Sequence, residues 1–558
     1  MKMDVVLVDG VIFSYNVESI IPQLGLVSLH NQLKHEFSVE LVDFDYMSFM
    51  KEYTYDDDKD VAISHMAKYL AEKNALVYGF YSMCNTYPVT VLTANRLKQL
   101  RPDARIIFGG PHASLTAEES LTAFGFVDAI GLGEAERYVC DFVRTLINGG
   151  DLNEIKGVCF RDKGKIVFTE LPELLSADEL SQMNLANMMK DCVNIFKYNI
   201  AISHVSSISD FLLEGGRGCP FSCTFCSTNQ FWKRCFRAKS VKSLIQEMKD
   251  LHAEYGHTKF DFNHDHFTFN KTYLHEFCNA LIEEGLEFIW SCSSRIDTLD
   301  YDSIELMKKA GCEAIFIGIE TGSKRMQQII HKNINIDGAF DKILFIKKLG
   351  FRVDVSFIYG FPEETLSDFS DTMSMIDKLL LSNIRSLQLH KLIPLPKTKE
   401  TEKVSGQLYF DERDIELTIY IEKAAPQSLI QLIKHHPDVF PQFYTFDSEV
   451  RSKYRRIDFM LYCLMAVYKE GYLSIRFMLE RYGSLGLYGL VQDEVESIFE
   501  KMTTDAYLLK EASLKVYKEV YYAIINKINK VEEDSYFKGV AILESQKVFM
   551  MEAQKIAN

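Results

Sequence analysis

Over the first 150 residues, short apolar runs alternate with amphipathic stretches: Val5 to Val8, Val39 to Val42, Ala75 to Phe80, Arg105 to Phe108 and Ala129 to Gly131. Strands alternating with helices predict a doubly wound α/β domain, a parallel sheet covered on both faces. In such sheets the ligand crevice lies beyond the carboxyl ends of the strands. Those ends read Asp9-Gly10, Ser82 to Thr86, Gly109-Gly110-Pro111-His112 and Gly131-Leu132-Gly133-Glu134. Small and polar residues dominate there, and glycine lets the backbone approach a ligand closely.

Residues 151–210 read as a connector with a small hairpin, Gly157 to Arg161 and Lys165 to Thr169 flanking the turn Asp162-Lys163-Gly164. The alternation then resumes in longer units. Strands are expected at 212–215, 258–263, 287–292, 313–319, 353–359 and 385–390, separated by amphipathic helices such as Ser240 to Tyr255. Six such units predict a partial (β/α)6 barrel over 211–400. Beyond 400 the apolar spacing becomes helical, notably in 457–482 and 509–530, so 401–558 is expected to form a helical C-terminal domain.

A chain of 558 residues exceeds one hydrophobic core, in keeping with several domains. The net charge of -16 argues against a nucleic-acid partner, which would need clustered cations. The local basic run Lys453 to Arg456 is expected to be a solvated helix face. The opening MKMDVVLVDG reads as a first strand rather than a targeting signal, and no run of about 18 apolar residues predicts a membrane span, so the expected location is cytoplasmic. Twelve cysteines are too sparse for a disulfide scaffold.

Three of them lie on one loop after the first barrel strand: Gly215-Gly216-Arg217-Gly218-Cys219-Pro220-Phe221-Ser222-Cys223-Thr224-Phe225-Cys226. A CxxxCxxC loop can bind three irons of a 4Fe-4S cubane and leave the fourth without a local cysteine. Zinc is the alternative, with Cys235 as a fourth ligand.

The triad, with Phe225 before its last cysteine, resembles the radical S-adenosylmethionine superfamily. That resemblance implies metal ligation by Cys219, Cys223 and Cys226, with the methionine group of S-adenosylmethionine on the open iron. It extends to the strand ends. Asp261-Phe262-Asn263-His264-Asp265-His266 stands where the family has an acidic or Gly-Gly-Glu segment. Asp265 is the implied acceptor for the methionine ammonium, while His264 and His266 are candidate catalytic residues or buried hydrogen-bonded ones. Ser293 and Arg295 end the third strand; Arg295 would pair with a carboxylate, that of the cofactor or Asp297. Gly318-Ile319-Glu320-Thr321-Gly322 resembles the family's Gly-Ile-Glu-Ser-Gly, which implies that Glu320 would face the cofactor. Tyr359-Gly360-Phe361-Pro362-Glu363-Glu364 resembles Gly-Phe-Pro-Glu-Thr, where main chain meets adenine and side-chain roles for Glu363 and Glu364 are in doubt. Pro394-Leu395-Pro396-Lys397-Thr398 resembles Pro-x-Pro-Gly-Thr, with Lys397 in the glycine's place.

A doubly wound domain ahead of this barrel, with Pro22-Gln23-Leu24-Gly25-Leu26 and Phe108-Gly109-Gly110-Pro111-His112-Ala113-Ser114, resembles the cobalamin-binding class B radical methyltransferases. Residues 1–150 would then hold cobalamin on Ser82, Asn85, Thr86, Gly109, Gly110, Pro111, His112, Gly131, Gly133 and Glu134. No axial histidine motif stands at Asp9-Gly10-Val11-Ile12, as in other members without one. The resemblance implies methylation of an unactivated carbon or phosphorus, using methylcobalamin and a 5'-deoxyadenosyl radical. The substrate would be a natural-product intermediate or a peptide, with an external flavodoxin- or ferredoxin-type reductant. Cyclisation, rearrangement or sulfur chemistry is the alternative within the superfamily; a non-catalytic iron-sulfur or zinc protein is the alternative outside it.

Overall fold

The computed structural model describes residues 3–11, 13, 23–190, 211–384, 386–412, 425–469, 474–501 and 510–531. Ile12, Pro22 and the 191–210 part of the connector lie outside them, as do 470–473, 502–509 and 532–558 of the C-terminal region. The chain divides into two compact units. Unit one comprises 1–294, 298–314 and 393–446; unit two comprises 295–297, 315–392 and 447–558.

Unit one opens with the doubly wound domain. Strands β1 (Val5–Val8), β2 (Val39–Val42), β3 (Val77–Tyr81), β4 (Arg105–Gly109) and β5 (Ala129–Gly131) pair in parallel in the order β2-β1-β3-β4-β5. All four residues of β1 are buried, as expected of a parallel strand packed on both faces. The hairpin β6 (Val158–Asp162) and β7 (Lys165–Phe168) extends this sheet, β6 running antiparallel to β5. It is therefore an edge of the first domain rather than part of a separate connector.

Three parallel strands follow in this unit: β8 (Phe211–Leu213), β11 (Lys259–Phe262) and β12 (Ile289–Ser294). Between β8 and β11 the short strands β9 (Gly216–Arg217) and β10 (Arg237–Ala238) pair antiparallel and bracket the cysteine loop. Residues 425–446 also belong here, where the helical pattern had suggested a C-terminal domain beginning at 401. Leu429, Ile433, Val439, Phe440, Phe443 and Tyr444 join the core formed by Tyr78, Phe80, Tyr87 and Phe108. Aromatic and aliphatic residues at helical spacing show that a face is buried, not which domain buries it.

In unit two, β13 (Cys312–Glu320, from Ile315 onward), β14 (Arg352–Tyr359) and β15 (Leu387–Lys391) continue the strand–helix alternation. β14 and β15 are parallel, with Ser356 beside Gln388 and Ile358 beside His390. Helices Ile457–Lys469, Ser474–Lys501 and Lys510–Val531 complete the unit, the second interrupted by non-helical backbone at Gly483 and Val491. The basic run behaves differently from a solvated face. Arg456 is 3% exposed and its guanidinium lies 4.1 Å above the Phe499 ring.

Candidate active site

In unit one the cysteine loop is defined by its backbone. Gly218 has φ +86°, and a Cβ there would lie 2.0 Å from the Cys235 carbonyl oxygen, so only glycine fits. Its N–H donates to Asp265 Oδ2 at 3.2 Å. Cys226 N–H and Asn229 Nδ2 both donate to the Cys223 carbonyl, at 3.2 and 2.9 Å. Arg234 Nε donates to Pro220 O at 3.2 Å, and Thr224 Oγ1 donates to Glu400.

Cys223 is buried and Cys219 and Cys226 half-buried; burial pushes the Cys219 thiol up to about 11 and raises Cys226 as well. As free thiols Cys219 and Cys226 would be neutral, so metal binding by them would displace protons. Among the described residues no three His, Cys, Asp or Glu side chains gather as a site for a single metal ion. Cys235 is exposed, its Sγ 3.6 Å from Lys233 O. Three thiols on one pinned loop are a donor set that could hold three irons of a 4Fe-4S cluster and leave the fourth without a cysteine.

Around that loop, Asp265 is exposed while the flanking histidines are enclosed. His264 stacks on Phe236 at 4.9 Å, and desolvation lowers its pKa to about 3, leaving it neutral. His266 places Nε2 3.0 Å from Thr298 Oγ1 and packs against Phe221 and Phe269. Both therefore sit in aromatic packing, and Asp265 alone of the three is open. On β12, Ser291 donates to Asp261 Oδ1 at 2.6 Å, and half-buried Ser293 shares that face by strand alternation.

The strand ends of the first domain are tightly built. Ser82 directs both N–H and Oγ to Gly109 O, at 3.1 and 3.0 Å. Thr86 Oγ1 accepts Met83 N–H at 3.1 Å, and a Cβ on Gly10 would lie 2.3 Å from that oxygen. Gly110 has φ +91° and would bring a Cβ within 2.8 Å of Ser82 O. Ser114 Oγ accepts Gly133 N–H at 3.1 Å and donates to Gly131 O at 3.3 Å. By contrast, Gly109 and Gly133 have no atom within 4 Å of where a Cβ would stand. They face open space, with half-buried Asn85 and Pro111 nearby in sequence. Asp9 follows β1 and is buried, its carboxyl held well above the usual range by desolvation and then by Asp43. Two predicted residues are differently engaged. His112 Nε2 lies 2.9 Å from Val439 O, with Tyr87 and Phe440 rings around it, and burial lowers its pKa to about 4. Glu134 forms ion pairs with Arg217 and Arg237 at 2.9 and 2.7 Å.

Unit two carries the other predicted residues. Glu320 ends β13 with φ +69°, an uncommon conformation for a non-glycine residue and one that clusters at functional sites. Its carboxylate lies 2.7 Å from Lys332 Nζ, and both side chains are over nine-tenths buried. Gly318 makes room, since a Cβ there would meet Glu320 Oε1 at 2.3 Å and Lys332 Nζ at 3.0 Å. Arg295 pairs with Asp297 at 2.9 Å and also donates to Lys332 O at 2.5 Å. Buried Tyr359 precedes Gly360, whose φ is +78°. Glu364 Oε2 accepts the N–H groups of Gly360 and Phe361, the latter at 3.3 Å, and Arg451 Nε donates to Gly360 O at 2.8 Å. Both backbone polar groups of Gly360 are thus engaged by side chains of the chain itself.

Sequence reasoning missed Lys332, Arg451, His390 and Asp458. His390 and Gln388 are exposed on β15 while Leu387 and Leu389 are buried, an alternation visible in the sequence. His390 Nε2 lies 3.0 Å from Gln388 Oε1. Desolvation lowers its pKa, opposed by Asp458 and Glu320. No comparable local signal pointed to Lys332 or Arg451.

A barrel-type strand–helix series with three cysteines on its first loop defines an iron-sulfur radical enzyme, and the profile of the radical SAM superfamily matches residues 213–376. A B12 binding domain profile matches residues 10–143. The chain is a cobalamin-binding-domain radical S-adenosylmethionine enzyme; the cofactors of those domains are a 4Fe-4S cluster, S-adenosylmethionine and cobalamin. An uncharacterised methyltransferase of Pyrococcus horikoshii is 29% identical over 381 residues, 68% of this chain and 77% of that protein. The anaerobic magnesium-protoporphyrin IX monomethyl ester cyclase of Synechocystis is 25% identical over 54% of this chain, which spans 59% of the cyclase. The cobalamin-dependent radical enzyme OxsB, solved with aqua-cobalamin bound, has the same fold: TM-score 0.59, 16% identity, 97% of this chain and 81% of that one. No helix among the described residues is long and apolar enough to cross a membrane.

Proposed function

We propose that this enzyme is a radical methyltransferase that adds a methyl group to an unactivated carbon, or to phosphorus, of a natural-product intermediate or peptide. The observation that carries this reading is within unit one: the loop after β5 of the B12-binding domain and the strand leading into the cysteine loop share one buried set of ion pairs. The methyltransferase name of the Pyrococcus relative adds support. When bound, the reduced cluster would cleave S-adenosylmethionine to a 5'-deoxyadenosyl radical, and the corrinoid would carry the methyl group.

Cys219, Cys223 and Cys226 would hold the cluster, and Asp265, open beside them, would accept the methionine ammonium. In unit two, Glu320 and Arg295, both held by Lys332, would be candidate polar contacts for S-adenosylmethionine. Tyr359 and the Gly360 turn would wall the adenine by shape, since the hydrogen-bonding groups of Gly360 are already taken. Ser293 would line the same face as Ser291. Ser82, Asn85, Thr86, Gly109, Gly110, Pro111, Gly131 and Gly133 would form the corrinoid cradle, with open space at Gly109 and Gly133 giving it room. His112 and Glu134 would support that cradle from behind. Electrons would come from an external flavodoxin- or ferredoxin-type donor.

The test is anaerobic reconstitution with iron, sulfide and hydroxocobalamin, followed by S-adenosylmethionine bearing a trideuterated methyl group and a reductant. The expected outcome is 5'-deoxyadenosine together with a trideuteromethyl label on the corrinoid. Absence of 5'-deoxyadenosine would overturn the radical step, and an unlabelled corrinoid would overturn methyl transfer. The cyclase relative favours a second reading, ring closure without methyl transfer; 5'-deoxyadenosine with an unlabelled corrinoid is its signature.

A further inference from the structure

Two guanidiniums and three carboxylates meet directly behind the cysteine loop. Arg217, two residues before Cys219, is 6% exposed; its Nη1 lies 2.9 Å from both Glu134 Oε1 and Glu136 Oε1, and its Nε 2.8 Å from Glu214 Oε1. Arg237 stands opposite Arg217 across the β9–β10 pair. Its Nη1 donates to both oxygens of Glu134, at 2.9 and 2.7 Å, and to Leu175 O at 2.9 Å. Leu175 N–H donates back to Glu134 Oε2 at 2.9 Å. Trp232 lies 5.5 Å from the Arg237 guanidinium, and a Cβ on Gly218 would be 3.2 Å from Trp232. A continuous run of contacts therefore leads from Glu134 to the first residue of the cysteine loop.

Glu134 follows Gly133, whose Cα faces open space and whose N–H is fixed by Ser114 Oγ. One end of the ion-pair set thus lies on a loop bordering the strand-end crevice, and the other on the strand entering the cysteine loop. Burying ions costs several kcal/mol each unless partners and hydrogen bonds are well placed, and breaking such a pair costs more than never having built it. Glu134, with three donors on two oxygens, satisfies that demand in one position of its loop.

We propose that Glu134 is a positioning residue that couples corrinoid binding to the cysteine loop. This rests on the cofactor placement proposed above. A corrinoid resting on Gly133 would fix the loop after β5, hold Glu134 against Arg217 and Arg237, and so hold Gly218 and Cys219 in their cluster-binding arrangement. The coupling is reciprocal: cluster loading tightens corrinoid binding by the factor by which corrinoid tightens cluster binding.

The test is hydroxocobalamin affinity of the full-length protein with and without its reconstituted cluster, followed by absorption and equilibrium dialysis. The wild type is expected to bind about fivefold or more tightly when cluster-loaded, the lower range of measured couplings. In Glu134→Gln the two affinities should coincide while iron content stays at the wild-type level. The electron paramagnetic resonance spectrum of the reduced cluster should respond to hydroxocobalamin in the wild type and not in the variant. Equal affinities in the wild type, or a full wild-type ratio in Glu134→Gln, would overturn the coupling. Should Glu134→Gln not fold, Arg237→Gln leaves the Arg217 contacts in place and should reduce the ratio; an undiminished ratio overturns the proposal. No hydroxocobalamin binding by any form overturns the cofactor placement itself, a result distinct from binding without coupling.

Discussion

The cysteine loop and the Gly360 turn are both short glycine-containing segments at strand ends, yet they are held in opposite ways. The cysteine loop is braced by residues from far along the chain: Arg217 reaches Glu134 83 residues away, and Thr224 reaches Glu400 176 residues away. The Gly360 turn is closed chiefly by its own sequence, Glu364 four residues on accepting its N–H, with Arg451 and Arg325 adding bonds from farther along the chain. Likewise Arg295 pairs with Asp297 two residues on, and Glu320 with Lys332 twelve on. A loop proposed to bind metal is fixed by the fold around it. A turn expected to meet a nucleoside is largely fixed before the fold closes.

The severest way to break the comparison is to remove a cysteine. Cys219→Ala, Cys223→Ala and Cys226→Ala should each reduce bound iron and acid-labile sulfide to background. S-adenosylmethionine cleavage should fall more than about 100-fold, beyond the 10- to 100-fold typical of changes around a metal site. Folding should survive, by circular dichroism, because the bracing residues are elsewhere. A variant that kept both iron and cleavage would remove the loop from the site.

The local arm is tested next at Lys332. Lys332→Ala would leave the Glu320 carboxylate, only 9% exposed, without its cation. Breaking a buried pair by removing one partner costs about 3–5 kcal/mol, which denaturant unfolding would register. Glu320→Gln combined with Lys332→Met should recover much of that loss, because no buried charge is then left alone. A double variant no more stable than Lys332→Ala would mean that the loss does not come from the uncompensated Glu320 charge.

Glu364 gives the same arm a pH signature. Burial raises its pKa to about 7, against two backbone donors that favour the charged form. A carboxyl raised in the folded state holds its proton where the unfolded chain has lost it. Stability from this group is therefore present below the ordinary glutamate range and is lost as pH climbs toward 7, by on the order of 3 kcal/mol. Glu364→Gln should flatten that slope between pH 4.5 and 7, and an unchanged slope would show that Glu364 titrates normally.

The same contrast explains what was legible in the sequence. The strands of both units follow from apolar runs and alternation, and β14 was expected within one residue of where it lies. Asp297 as a partner for Arg295 was readable because it is two residues away. Glu134 was read as a cradle residue because its glycine-rich loop suggested a ligand, and nothing nearby in sequence announced Arg217 or Arg237. His112 was misleading for the same reason, its partner Val439 lying 327 residues on. The hairpin and residues 425–446 joined the first domain because apolar spacing identifies a buried face without naming what buries it.

The smallest expected effect probes Lys397, which stands where the related motif has glycine and has φ +58°. A left-handed backbone costs a residue with a side chain roughly 1–2 kcal/mol, so Lys397→Gly relieves that strain. Two losses oppose it. Glycine gives the unfolded chain more freedom, about 0.5–1 kcal/mol, and the variant forfeits the Lys397–Glu119 pair, 2.5 Å long and half-exposed at the lysine. Exposed pairs contribute about 0.2–1 kcal/mol, so the net change should lie within about 0.5 kcal/mol of zero. Salt separates the terms: it screens the ion pair and leaves backbone strain alone, so the variant should gain on the wild type as ionic strength rises. A salt-independent difference would mean that Lys397 is kept in a glycine position without help from Glu119, and that even this distant tie in unit one contributes nothing to the loop that carries Lys397.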